Sequence, residues 1–358
     1  MVGAINADPA TVSSRLEVKV NKAFAIIMLE AILVFSASSF AQKAPLKLEH
    51  TTPLPELHDG DFDHFLADVP GNRLFATAEE NSKVLIFDMR TNKLVHTIDD
   101  LKAPHSLLYR EDLKKLFVVD GDLGEVKIYE TESYKPAGSI KVREGADASA
   151  YDPSSKYLYV VNGGKDAKLP NSYITVIDTD SGKTVGEIKM DSNDVEGMAF
   201  EKSGTRLFVN VRGNSTVEVF DRTNRRLLAT WAISDVAKKP TAIALDEDSH
   251  RLFVGTRDPG KLVVLDTSSG KIVSSYPGAA MVDDMSFDSG HKRIYFAGTE
   301  FLDVFQQTDP DHYDRIAHVP TAFRAKTAIL VPELNKYFLA VPHHEKQSAE
   351  LRVYEVLP

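Results

Sequence analysis

The chain has 358 residues, 43% of them hydrophobic and 26% charged, with 52 acidic against 42 basic side chains and no cysteine. Its net charge of −10 opposes general binding to phosphate backbones or anionic lipid, which carry the same sign of charge. The lack of cysteine excludes disulfides, thiolate metal sites, c-type haem attachment and cysteine nucleophiles. The length exceeds that of a usual single core, so two ordinary domains or one large repeat-built domain are the options.

Lys19 and Lys22 precede an apolar run from Ala23 to Phe35, followed by Ser36, Ala37, Ser38 and Ser39. Ser39 and Ala41 stand three residues and one residue before a cleavage point at Gln42, the layout of a secretory signal peptide. A membrane anchor is the competing reading, and Glu30 inside the run disfavours a stable span. Residues 1–18 are polar for a leader, which places its natural start nearer Val20. Residues 1–41 are therefore expected to be removed, leaving 42–358 as a periplasmic or extracellular chain, monomeric and not embedded in the membrane.

From residue 73 onward a short pattern recurs: a basic or polar residue, then an apolar stretch with an aromatic residue at its centre. It reads Arg73-Leu74-Phe75-Ala76, Lys115-Leu116-Phe117-Val118 and Tyr157-Leu158-Tyr159-Val160, and later Arg206-Leu207-Phe208-Val209 and Arg251-Leu252-Phe253-Val254. Arg293-Ile294-Tyr295-Phe296 and Lys336-Tyr337-Phe338-Leu339 complete the set. The central aromatics are 42, 42, 49, 45, 42 and 43 residues apart, a period typical of propeller blades. Each repeat carries four short strand signals and no sustained helical period. The chain is thus expected to be all-β, a seven-bladed β-propeller of four-stranded antiparallel blades.

Within a repeat the strands can be lettered a to d. Strand a, as in Ser106-Leu107-Leu108-Tyr109 or Ala242-Ile243-Ala244-Leu245, reads as buried on both faces. Strand b carries the aromatic landmark, and strand c ends on aspartate at Asp88, Asp178, Asp221 and Asp266. Those aspartates begin turns such as Asp266-Thr267-Ser268-Ser269-Gly270, where the carboxylate bonds the backbone ahead of it, so their role is structural. The last repeat stops at strand c, Val353-Tyr354-Glu355-Val356, while Leu46 to Thr52 forms a strand with no repeat of its own. Pairing the two closes the ring and removes its free edges.

Tyr159-Val160-Val161-Asn162, followed by Val176-Ile177-Asp178-Thr179 and Ser181-Gly182-Lys183, resembles the YVTN-repeat β-propellers, and residues 43–358 as a whole look like a YncE-like member. The resemblance implies the fold; for function it implies only a range, from secreted proteins of unassigned role to lactonases, lyases, nucleic-acid binders and protein-interaction platforms. Trp231 is the single tryptophan, too few for per-blade tryptophan docking or a WD signature, and no sialidase-type aspartate box is present.

In such a blade the d–a and b–c loops open on one face, where sites on rigid scaffolds concentrate. Counting twelve residues back from each landmark gives Asp63, His105, Asp147, Glu196, Thr241, Asp283 and Lys326. Five of these, Asp63, His105, Asp147, Glu196 and Asp283, form a candidate ligand set for Ca²⁺, Mg²⁺ or Mn²⁺, because converging carboxylates repel unless a proton or a cation separates them. His64, Ser106, Asp284, Arg324 and Lys326 are the accompanying candidates for ligand contact. A hydrated polar channel with no bound cation is the bland alternative.

The b–c connection is lengthened in the third repeat, around residues 163–170, and in the seventh, around His343-His344-Glu345-Lys346. Both additions are expected over the same mouth. His343 and His344 are adjacent, and neighbours on an extended chain point to opposite sides, which argues against a metal pair. No nucleophile elbow, zincin helix, P-loop or dinucleotide fingerprint is present. The expected function is binding of a small molecule or protein at an acidic, cation-accepting mouth. The alternative is a metal-assisted lactonase or other hydrolase with Asp147, Glu196 or Asp283 as base; the sequence leaves open whether the chain is an enzyme, and nucleic acid is a disfavoured partner.

Overall fold

A four-stranded sheet has two apolar faces and covers neither by itself, and in this chain the covering is done by the next sheet round a ring. A computed structural model describes residues 44–358; the stretch read as a cleavable leader, residues 1–41, lies outside the described residues. Seven four-stranded antiparallel sheets are present. The first blade runs Phe65–Asp68, Arg73–Ala78, Lys83–Asp88 and Lys93–Ile98 from strand a to strand d. Blades two to six begin with strands Pro104–Arg110, Ser149–Asp152, Met198–Phe200, Lys238–Asp246 and Asp284–Asp288. The seventh contributes Ala328–Val331, Lys336–Val341 and Glu350–Val356, and its fourth strand is Leu46–Pro53. Leu46 pairs with Val356 and Pro53 with Glu350, so the ring closes as the repeat count requires.

The seven aromatic landmarks are each at most 1% exposed. The core is shared between blades: Leu74 and Phe87 of the first pack with Phe338 and Val353 of the seventh, while Phe75 and Ile86 pack with Leu116 and Val118 of the second. The basic residue opening strand b reinforces these joints. Arg73 pairs with Asp68 at 2.6 Å and donates to the Thr131 carbonyl of the next blade at 2.8 Å. Asp88 accepts the backbone N–H groups of Arg90 and Thr91, and Asp266 those of Ser268 and Ser269, the turn role assigned to these carboxylates.

Two features differ from or add to the linear reading. Strand a is not equally buried on both faces: Met198, Ile243 and Met285 are only half-buried, because they line a cavity inside the ring. Each pairing of strands c and d in blades one to six carries a register shift at the same place, between Ile86 and Phe87 in the first and between Val264 and Leu265 in the fifth, for example. Such bulges increase twist and blunt the outer edge against further strand pairing.

Deleting residues 44–53 would strip the cover from Leu351, Val353 and Val356, each at most 4% exposed. The loss should at least match a large core truncation, about 2–5 kcal/mol, with self-association through the bared edge. Thermal melting and light scattering check this; a truncated chain that melts with the full one and stays dispersed would show the strand to be dispensable.

Candidate functional site

All seven positions found by counting back from the landmarks line one cavity of about 270 Å³, and His64 and Asp284 join them. Ser106 and Arg324 do not line it. The Ser106 hydroxyl is buried and donates to the Asp147 backbone carbonyl at 2.7 Å. Arg324 is held by Asp61 at 2.6 Å, Glu80 at 3.1 Å and Asp59 at 3.6 Å. Three charged lining residues were missed by that count: Glu79, Arg212 and Arg257. Each stands four residues after its landmark, at the far end of strand b, so counting forward as well as back would have found them.

The cavity is divided by charge. On one side the carboxylates have fixed cationic partners: Arg212 pairs with Glu196 at 2.6 Å and Asp194 at 2.9 Å, while Asp283 is bonded by both Arg257 and Lys326. On the other side the balancing groups are imidazoles. His105 Nδ1 lies 2.7 Å from Asp63 and 3.5 Å from Asp147, and its Nε2 lies 3.7 Å from Glu79. His64 Nδ1 lies 3.2 Å from Asp284, and its Nε2 4.0 Å from Asp63.

Burial disfavours charge throughout the cavity, and neighbouring groups decide the outcome. For His105 burial is outweighed by Asp63, Asp147 and Glu79, which push the imidazole up to about 10. His64 is raised against burial by Asp63 and Asp284. Asp63, also against burial, is held well below the usual carboxylate range by His64 and His105. Glu79 moves the other way: burial, only partly offset by His105, pushes it up to about 7. Burial and the negative charge of Asp147 push Glu196 up to about 8 against the pull of Arg212. Asp147 is raised by burial as well.

Repulsion among the ring carboxylates is therefore relieved largely from within, by Arg212, Arg257, Lys326 and two imidazoles. The five residues considered as cation ligands are split by this arrangement: Glu196 and Asp283 already have cationic partners. Donor atoms of Asp63, Glu79 and His105 lie within 4.8 Å of one another, and this is the metal-compatible group among the described residues. Two carboxylates and one imidazole suit Ca²⁺, Mg²⁺ or Mn²⁺ by ligand type.

The two lengthened b–c connections have different surroundings. Lys165 and Asp166 of the third blade line a groove together with Glu79, His105 and Asp147, so this loop lies over the cavity mouth. In the seventh blade His343 bridges to Asp59 and Gly60, and His344 packs on Phe323 with ring centroids 4.7 Å apart. That loop joins the last blade to the segment leading into the first.

Fold and site define a seven-bladed β-propeller protein with a polar central cavity. No family model matches the sequence. The chain is 28% identical over 140 residues to WD repeat-containing protein VIP3 of Arabidopsis thaliana, covering 36% of this chain and 43% of that one. It is 26% identical over 153 residues to the seven-bladed β-propeller protein Rv1057 of Mycobacterium tuberculosis, covering 41% of this chain and 38% of that one. The matched region thus spans about two fifths of the length of either relative. A chain in the crystal structure of a mitotic checkpoint complex superposes with a TM-score of 0.69 at 15% identity, covering 100% of this chain and 99% of its own, a likeness of fold alone. Among the described residues no helix is long and apolar enough to cross a membrane.

The Arg257–Asp283–Lys326 group gives a sharp test, since all three side chains are at most 14% exposed. Asp283→Asn leaves two buried cations without their carboxylate and should cost about 3–5 kcal/mol. Replacing all three by Met or Leu should be neutral or stabilising by about 1–4 kcal/mol. Urea denaturation of the wild type, the single and the triple variant measures both; equal losses in the single and triple variants would contradict the account.

Proposed function

We propose that this chain is an exported binding propeller, a YncE-like member of the YVTN-repeat β-propellers, whose cavity accepts a positively charged group. In the simplest case that group is a divalent cation held by Asp63, Glu79 and His105. The observation that carries the reading is the division of direct ion pairs: on one side of the cavity the carboxylates pair with arginine and lysine, on the other with imidazoles. An incoming cation replaces a proton on His105, so binding strengthens as pH rises toward about 10. The ligand class is a small molecule or a protein segment carrying positive charge; the net charge of −10 disfavours nucleic acid.

Glu79 favours a second reading. A carboxyl near neutrality in a polar cavity, with His105 beside it, has the properties of a general base paired with an acid. With a metal supplying Lewis acidity, such a pair would suit a lactonase or related hydrolase.

Melting the full chain with Ca²⁺, Mg²⁺ or Mn²⁺ separates these readings. A cation at a hundredfold its dissociation constant should stabilise the protein by about 2.7 kcal/mol. Asp63→Asn and Glu79→Gln should abolish the shift, whereas Glu196→Gln should keep it. Failure of all three metals to raise the melting temperature would overturn the metal reading. Lactone hydrolysis that disappears in Glu79→Gln would promote the second reading; metal binding without turnover keeps the first.

Export has its own test. Intact-mass analysis of protein recovered outside the cytoplasm should give a chain beginning at or near Gln42. Membrane-bound protein that retains residues 1–41 would overturn the leader reading.

A further inference from the structure

Repetition within the chain shows how two ring carboxylates are neutralised by arginine; Asp63 and Asp147 are left to imidazoles, and Asp147 has the longer contact, 3.5 Å to His105 against 2.7 Å for Asp63. In the fourth blade Arg212, four residues after the landmark, pairs with the ring carboxylate of its own blade, Glu196. In the fifth, Arg257 at the same position crosses to the ring carboxylate of the next blade, Asp283. By these two geometries an arginine for Asp147 would have to stand at Gly163 of the same blade or Gly121 of the preceding one. Both positions disfavour one. A Cβ on Gly121 would fall 2.8 Å from the Ala146 carbonyl oxygen and 2.9 Å from the His105 ring, and Gly163 has φ +78°. Among the described residues Asp147 forms no ion pair with a lysine or arginine; its ion-pair partner is His105 at 3.5 Å, and His64 and Arg212 act on it only from beyond contact distance.

The cavity wall is open on this side. A groove of about 640 Å³ runs past Gly121 and Gly145 and shares Glu79, His105 and Asp147 with the cavity. Its outer part carries Asp122, Glu144 and Asp166, all exposed and none in an ion pair among the described residues. Of its two lysines, Lys165 is paired with Asp194 at 2.9 Å, which leaves Lys102. A lone metal ion or amine fills only the cavity; an acidic groove leading to it fits a chain that brings several positive charges in sequence.

We propose that this groove docks an extended basic polypeptide segment, which inserts one arginine side chain beside Asp147 in the place that Arg212 and Arg257 fill for their own carboxylates. The guanidinium fork matches a carboxylate in two parallel hydrogen bonds, which an ammonium cannot reproduce. The inference rests on the reading of the cavity as a cation-accepting site. It adds the partner class and a residue, Asp147, that the metal reading does not need. Because Asp147 and the metal-compatible group share His105, divalent cation and peptide should compete.

The test is fluorescence anisotropy on the full chain. The probes are labelled nonapeptides with one central arginine flanked by lysine and glycine in either order, and the same peptides with citrulline for arginine. Saturable binding is expected, weakened at least ~tenfold by citrulline and by Asp147→Asn, the loss of one charge-assisted pair. The double variant Glu144→Gln with Asp166→Asn alters only exposed groove positions and should weaken binding roughly threefold to tenfold, with less effect at high salt. The proposal is overturned if neither peptide binds at millimolar concentration, if citrulline binds as well as arginine, or if either variant binds like the wild type. Competition by spermidine as strong as by unlabelled peptide would also overturn it, since the site would then read charge alone. Peptide binding without any metal-induced stabilisation would sink the metal reading and leave this one standing, and the converse result would do the reverse.

Discussion

Burial between neighbouring blades is the constraint on which the rest of this molecule depends. A blade keeps its aromatic landmark dry only by pressing it against the next sheet, as Phe75 does against Leu116 and Val118. Seven such joints must therefore close on themselves, or one blade face and one sheet edge would stay wet. Closure in turn gives every repeat the same relation to the axis. Positions at equal distances from the landmark then arrive at the same place, whatever their chemistry, and a ring of ionisable side chains is a by-product of packing far away from it.

That by-product has an electrostatic cost, and the chain meets it unevenly. Buried charges are tolerable only when paired and hydrogen-bonded. Around Glu196 and Asp283 the pairing is complete, through side chains that cannot lose their charge at physiological pH. Around Asp63, Glu79 and Asp147 it depends on imidazoles, chiefly His105 with His64 beside Asp63, whose charge is a removable proton. Polarity held by removable protons, at the end of a groove, is what separates a part of the ring suited to exchange partners from a part that only holds the scaffold together.

The blades were legible in the chain because strand b is the most buried strand, and its pattern of a basic or polar residue, an apolar residue and an aromatic survives in every copy. The seven ring positions were legible for the same reason, since they stand at a fixed distance from that pattern. Glu79, Arg212 and Arg257 escaped because only residues leading into strand a were counted, although strand b leaves at the same mouth. The pairing itself could not have been read. Arg257 bonds a carboxylate of the following blade and Arg212 one of its own, and nothing in the linear spacing distinguishes the two reaches. Ser106 looked like a mouth residue beside His105, yet its hydroxyl is spent on a backbone carbonyl of the next blade, a contact that only the assembled joint creates.

The strand that closes the ring has a consequence for how the protein is made. Leu46 to Pro53 leave the ribosome before any blade exists, but their partners are Glu350 to Val356, some three hundred residues later. Contacts of such long sequence separation form late and slowly, after the local hairpins. During synthesis the first blade has no seventh beside it, and six joints can form before the last. The early strand spends that interval as an unpaired ribbon, at the time when strand edges are most prone to association with other chains. Biosynthesis of this fold is thus a matter of timing: its first strand to be made is among the last to find its place.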